Sequence, residues 1–516
     1  MTALEEFKLI SGLTPSLPKS TIYFGNVNPE EREQIGSHVQ FNVGELPVRY
    51  LGVPLISTRL YHADCLPLID KVKCKILSWK NKSLSFAGRL QLISSVLNSL
   101  QVYWSSVFIL PTSVSKEIEK IMRGFLWCHG ELKRGKAKVK WKDVCMPMLH
   151  GGLGLKLLRT WNQALISKHT WNIISRKDSL WVKWVYTYRL NNGNFWEVNR
   201  KMDTCWSWRK ILEFRDSLRH HIIHQVGNGR NTSAWFDNWH PIGPLCNFVS
   251  HRNMCEGGMS RFSTVADIVE DGSWKWPQDW QHRFPELFSS PPVTLVSGIE
   301  DKVLWKTNDG KLIPFTVSDV WMDIREVGAA VPWFKLVWFS QNIPRHAFIL
   351  WLAIKCKLKT HDVLRAWMDI SNLTCVFCKN GPDSHSHLFF ECPFTYDIWC
   401  ELSGLTRWGN IPHSWPLIVT HLCNLMSNSS IWSVINRLTL AAAVYYIWQE
   451  RNLRSHEDRA RPKSEVLKLI KEAVRLRIIG LKLRKSVATL EVMRVWDLHN
   501  MQWIDSTNVY SFPNDK

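Results

Sequence analysis

Apolar positions recur at helical spacing along much of the chain. Leu4, Phe7, Ile10 and Leu13 predict a helix over residues 1–13, which Pro15 and Pro18 end. The runs KSTIYFGN (19–26) and VRYLGVPL (48–55) read instead as extended segments. From Tyr61 to Leu110 helical spacing returns: a basic stretch, KVKCKILSWK (71–80), then Gly88 and an apolar-striped helix over 89–104. Further helices are predicted over 114–127 and 157–176, the second after a GGLGL turn (151–155) that lacks the spacing of a dinucleotide-binding loop.

Two stretches break this rhythm. Lys136, Lys138, Lys140 and Lys142 alternate with Ala137, Val139 and Trp141, which predicts a strand with one lysine face. Such a face can track phosphates or guard a sheet edge against aggregation, and spacing alone leaves both open. In HHIIHQVGNGRNTSAWFDNW, Asn228-Gly229 lies between extended runs and predicts a hairpin. Residues 241–314 carry Pro and Gly with little periodicity, as a boundary or small loop-rich domain does. Helices resume over 317–324, 344–358, 430–455 and 463–484. Between 451 and 485 twelve Lys or Arg face four Asp or Glu, while Val466, Ile470, Ala473 and Val474 form a packing stripe. The fold class expected is α+β, mostly helical and multi-domain.

Composition narrows the partners. The net charge of +20 favours a polyanion, nucleic acid before an anionic membrane surface. The best apolar run, Leu438 to Trp448, is far shorter than the ~20 residues a membrane span needs. The 13 cysteines, an odd number behind an N-terminus that does not read as a secretory signal, are expected as reduced thiols in nucleus or cytoplasm. The 29 tryptophans can stack on bases, though their commoner use is to fill cores.

One cluster bears chemistry: CVFCKNGPDSHSHLFFEC, residues 375–392. Zinc takes four N or S ligands in a tetrahedron, and a C-x2-C turn aims two thiolates at one point. Cys375 and Cys378 form that turn, Cys392 supplies a third sulfur, and His385 and His387 compete for the fourth position. Four protein ligands leave no place for a reactive water, so such a site is structural.

The segment Phe315 to Trp399, with FTVSDVW, VWFSQNIPRHAFILWLAIKCKLKTHDVL, C-x2-C and HLFFEC, resembles the zinc-binding domain C-terminal to plant non-LTR (LINE-type) retrotransposon reverse transcriptases. The resemblance implies zinc on Cys375, Cys378, His387 and Cys392, with Asp383 as the acidic residue usual before the histidine. It extends over nearly the whole chain. GLTPSLPKS (12–20) resembles the segment after the catalytic strand pair, with Ser16 in place of the usual Asn and Lys19 kept. Tyr50, Leu51 and Gly52 resemble the primer-grip turn. SWKNKSLSFAGRLQLISSVL (78–97), FLW (125–127), KVKWKDVC (138–145) and GGLGL resemble thumb and connection. VGNGRNTSAWFDNWHPIGPL (226–245) and IWQERN (447–452) also resemble segments of such proteins.

On this resemblance residues 1–58 are a palm remnant, 59–225 a thumb-like connecting region, 226–314 a Trp-rich loop and β region, 315–402 the zinc domain and 403–516 a basic helical region. Lys80, Lys82, Arg89 and the lysine stripe (Lys136, Lys138, Lys140, Lys142) are the expected contacts to RNA or DNA, made with low specificity. Polymerases of this kind hold two metal ions on paired aspartates, yet the sequence contains no Asp-Asp dipeptide. The expectation is a non-catalytic, truncated fragment that binds nucleic acid. The alternatives are an interaction or structural protein, a relic without function, or the C-terminal piece of an active RNA-directed DNA polymerase.

Overall fold

The computed structural model describes residues 2–499, 502 and 503, except 15, 26, 40, 57, 80–82, 129–135, 192, 201–203, 366–373, 409–413 and 426–429. The fold is α+β and mostly helical, with short two- and three-stranded sheets. Two compact units form, each from three separated stretches: residues 1–70, 101–116 and 158–325 in one, and 71–100, 117–157 and 326–516 in the other.

In the first unit the helix Thr2–Ser11 forms as expected, but none of its residues is buried, and Leu9 and Ile10 stand in solvent. A short parallel pair, Thr21–Tyr23 with Asn42–Gly44, precedes a hairpin of Val48–Tyr50 with Val53–Leu55. Leu51 and Gly52 join its strands at φ 50° and 86°. Two left-handed residues in a two-residue loop match the twist of the flanking strands.

The core of this unit lies on the helices Leu158–Ile174 and Trp206–Leu218 and an antiparallel sheet of Ile222–Gln225, Lys302–Lys306 and Leu312–Ile313. Trp161, Trp196, Trp305 and Trp321 fill it, and Trp235, Trp239, Trp276 and Trp280 fill a second cluster. Here tryptophan serves as core bulk. Buried Asn162 ties the helix Leu158–Ile174 to the 105–110 segment: its amide donates to Ser105 O and Phe108 O, both at 2.7 Å, and its Oδ1 accepts from Leu110 N at 2.8 Å.

The hairpin expected at Asn228-Gly229 is not there. The strand Ile222–Gln225 pairs with Lys302–Lys306 instead. The loop folds around Asp301, whose carboxylate accepts from Gly227 N (2.7 Å), Gly229 N (2.9 Å), Asn231 N (3.0 Å) and Thr232 Oγ1 (2.8 Å). Burial raises this carboxyl's pKa, but the four donors outweigh it and hold the group below its usual range. The Asn-Gly signal therefore marks a backbone nest filled by a side chain of the same unit.

The second unit is built on the helix Ile431–His456, capped by Ser430 and buried on all sides over Trp432–Val444. Pro344–Ile354, Lys463–Ile479 and Val487–Val495 pack against it. Val466, Ile470 and Val474 are buried as the stripe required. The uninterrupted helix expected over 89–104 is broken into Phe86–Leu92, a π turn at Ile93–Leu97 and the short helix Asn98–Leu100, while Val102–Val107 belongs to the first unit. Gly152 explains the double glycine of GGLGL, because a Cβ there would meet Met146 O at 1.9 Å. Trp351 Nε1 then donates to Gly151 O at 3.0 Å.

Candidate metal centre and basic surface

The segment 375–392 closes on itself through backbone bonds. Cys375 N donates to Gly381 O (2.7 Å) and Lys379 N to Cys375 O (2.8 Å), a tight turn completed by Lys379 at φ 60°. This turn brings Cys375 and Cys378 to one side. Leu388, Phe389 and Phe390 are buried, each contributing about 1.5–3 kcal/mol. They anchor a π turn over His387–Glu391 that projects His387 and Cys392 back at the cysteine turn.

The ligand atoms of Cys375, Cys378, His387 and Cys392 all lie within 4.8 Å of one another. Cys375 Sγ and Cys392 Sγ are 3.9 Å apart, and Cys378 Sγ and His387 Nε2 are 3.2 Å apart. A tetrahedral zinc with Zn–S bonds near 2.3 Å spaces its sulfurs by about 3.8 Å, so donor spacing and donor chemistry fit that ion. Among the described residues no other group of His, Cys or carboxylate side chains is close enough to hold a metal. All 13 cysteines are free thiols.

The two buried sulfurs shift each other's ionisation in opposite directions. The contact with Cys392 Sγ holds Cys375 down to about 5 against the effect of burial. The same contact, together with burial and the neighbouring Cys375 charge, pushes Cys392 up. Zinc takes cysteine as thiolate, so zinc bound by these sulfurs would displace their protons.

His385 turns away. It is buried, its Nδ1 lies 3.2 Å from Thr360 Oγ1, and burial lowers its pKa. Gly381 packs under His387, where an added Cβ would come within 2.3 Å of the ring.

Asp383 is buried and meets Arg451 Nη2 at 2.5 Å, His361 N at 3.1 Å and His361 Nδ1 at 3.1 Å. Arg451 belongs to IWQERN. Its neighbour Glu450 accepts from Arg454 Nε, Arg461 N and Arg461 Nε, all at 2.8 Å. Sequence reasoning left Arg451 without a role. The available signal was a glutamate and an arginine side by side just after the apolar run Leu438 to Trp448, since buried charges are kept only when paired.

The family described as zinc-binding in reverse transcriptase matches residues 315–399, which contain all four ligand candidates. Residues 315–399 are a reverse transcriptase zinc-binding domain. A putative ribonuclease H protein of Arabidopsis thaliana is 27% identical over 376 residues, 68% of this chain and 57% of that protein. The chain thus spans little more than half the length of this relative. An uncharacterized mitochondrial protein of the same plant is 29% identical over 152 residues, 28% of this chain and 99% of that protein.

The expected basic contacts fare unequally. Residues 136–140 form no strand, and a short helix, Trp141–Cys145, begins where the stripe should continue. Val139 and Trp141 are buried while Ala137, Lys136, Lys140 and Lys142 are exposed, so only two of the three apolar positions are buried, and without sheet pairing. Lys142 pairs with Glu326. Lys138 is half-buried with no carboxylate partner among the described residues. Burial, then the nearby charges of Lys359 and Lys136, lower it to about 8.

Arg89 is not a surface contact. It is buried, Nη1 donates to Phe125 O at 3.2 Å, and its guanidinium lies 4.5 Å from the Phe86 ring centroid. An arginine stem buries readily along apolar neighbours, and a basic run in sequence does not show which members do so. Lys80 and Lys82 lie outside the described residues. Tyr50 and Leu51 are exposed at the hairpin tip, beside Gly52. No described helix is long and apolar enough to cross a membrane.

Proposed function

We propose that this chain is a reverse transcriptase-derived nucleic-acid-binding protein whose zinc-binding domain is a structural clasp. The observation that carries the reading is the match of residues 315–399 to the reverse transcriptase zinc-binding family, on a chain of net charge +20 that exposes Lys136 beside half-buried Lys138, cations that a phosphate backbone would neutralise. Lys140 extends this basic face. Zinc on Cys375, Cys378, His387 and Cys392 holds the loop together and does no chemistry. Residues 1–58 and 59–225 act as palm-end and thumb-like regions, 226–314 as a Trp-rich region and 403–516 as a basic extension of the zinc-binding domain. Without paired aspartates in the sequence, the chain performs no templated synthesis by itself and acts on RNA or DNA by binding, in nucleus or cytoplasm.

Filter binding of a short duplex across a salt series tests the reading. Affinity should fall with salt, and changing Lys136, Lys138 and Lys140 together to Gln should reduce the log–log slope by about 2–3. Absence of binding at low salt, or binding insensitive to salt, refutes it. Metal analysis should find one zinc per chain, lost in Cys375→Ser/Cys378→Ser. Primer extension above background would overturn the non-catalytic part.

A further inference from the structure

The first unit contains a cavity of about 100 Å³ that neither the zinc-binding domain nor the lysine face explains. Arg176, Arg230 and Arg261 line it, with Asn231, Asp237 and Phe262. Its one carboxylate is already engaged: Asp237 accepts from Ser233 N at 2.8 Å and lies 3.6 Å from His224 Nε2. Arg261 reaches Glu197 at 3.4 Å and stacks over Phe262 at 4.7 Å. Arg176 lies over the Tyr186 ring at 5.4 Å. Arg230 is exposed and has no carboxylate partner among the described residues. Its position is set by the loop that Asp301 locks from Gly227 to Thr232, so the cation is presented on rigid backbone.

We infer that this cavity binds the phosphate group of a nucleotide. Three guanidiniums around one polar cavity suit a tetrahedral oxyanion, which arginine binds through paired N–H donors. The volume accommodates a phosphate with several waters. Phe262, 62% exposed, offers a face at the rim on which the attached base stacks. The VGNGRNT loop thereby acquires a role: its glycines and Asp301 form the brace, and Arg230 is the contact. The phosphate comes either from a free nucleotide or from a strand. Only the strand case rests on the nucleic-acid reading above.

Equilibrium dialysis of the full chain at low salt, with labelled AMP and with a labelled short oligothymidylate, tests this, inorganic phosphate serving as competitor. Arg230→Gln and Phe262→Ala change exposed side chains and leave the cores intact. Phosphate-competed binding of at least one probe should weaken about tenfold or more in Arg230→Gln. Phe262→Ala should weaken AMP or oligonucleotide while leaving inorganic phosphate as effective a competitor. Weakening of AMP assigns the site to free nucleotides, and weakening of the oligonucleotide alone assigns it to a strand. AMP binding without any oligonucleotide binding sinks the nucleic-acid reading and keeps the pocket. Oligonucleotide binding that Arg230→Gln leaves unchanged, with no AMP binding, overturns the pocket and keeps that reading. Failure of both probes to bind overturns both.

Discussion

Replacing Arg451 with Met should destabilise the second unit and loosen its metal site together. Arg451 and Asp383 have side-chain exposures of 3% and 0%, so water screens their attraction little. Removing one partner of a buried pair leaves the other desolvated, at about 3–5 kcal/mol. His361 N, which donates to the same Asp383 oxygen at 3.1 Å, remains and offsets part of the loss. The expected cost is therefore near the lower end, about 3 kcal/mol. Asp383 lies between Gly381, which packs under the His387 ring, and His387 itself. Zinc affinity should fall tenfold or more, as when supports behind metal ligands are removed.

Urea denaturation with and without chelator measures the first effect, and competition against a chromophoric chelator the second. Asp383→Asn and the double variant Asp383→Asn/Arg451→Met complete a cycle. The double variant should be more stable than the sum of the single losses implies, by about 0.5–3 kcal/mol. If Arg451→Met costs less than about 0.5 kcal/mol, the size of an ordinary surface change, or the single losses simply add, the clasp is not a pair and the reasoning fails.

Gly381→Ala should displace the His387 ring, since the new Cβ lies 2.3 Å from its Cε1. Chelator competition should show at least tenfold weaker zinc binding with circular dichroism unchanged. His346 is wholly buried against Tyr445 and Tyr446, and burial lowers its pKa from 6.5 to about 3. Below pH 6.5 the unfolded chain takes a proton that the folded one refuses, so this site's stability is full above 6.5 and lost as pH falls toward 3. His346→Phe should flatten that acid loss, at most about 1.4 kcal/mol per pH unit, in melts run across this window. Asn162→Ala removes the partners of Leu110 N, Ser105 O and Phe108 O and should cost about 2–4 kcal/mol by denaturant titration.

Local signals in the chain were legible where one neighbourhood sets the outcome. The helices Leu158–Ile174, Ile431–His456 and Lys463–Ile479 form where helices were expected, and Cys375, Cys378, His387 and Cys392 converge because only 17 residues separate the ends of their loop. Legibility fails where a distant partner decides. Asn228-Gly229 reads as a hairpin until Asp301 fills the loop. Lysine alternation reads as a strand although Val139 and Trp141 are buried without one. Arg89 reads as a phosphate contact until Phe125 O and Phe86 claim it. The interleaving of three stretches into each unit has no periodic signature at all. His385 and His387 differ by the hydrogen bond of one to Thr360, a residue outside the motif.

The zinc-binding domain is electrostatically incomplete at its family boundary. Residue 399 closes the match, but the charge that satisfies Asp383 arrives from position 451, and Arg454 lies over the stacked rings of Phe377 and Phe394, at 5.1 and 4.6 Å. Two consecutive turns of the long helix therefore face the metal loop. Glu450 pairs with both Arg454 and Arg461, so this buried carboxylate is not left without a counter-charge. The four ligand candidates include both ends of the loop, Cys375 and Cys392, and the helix meets its middle at Asp383. A metal held by these candidates and the docked helix Ile431–His456 would order the same eighteen residues and stabilise one another, because whichever comes first has already met the conformational entropy that the second would otherwise face.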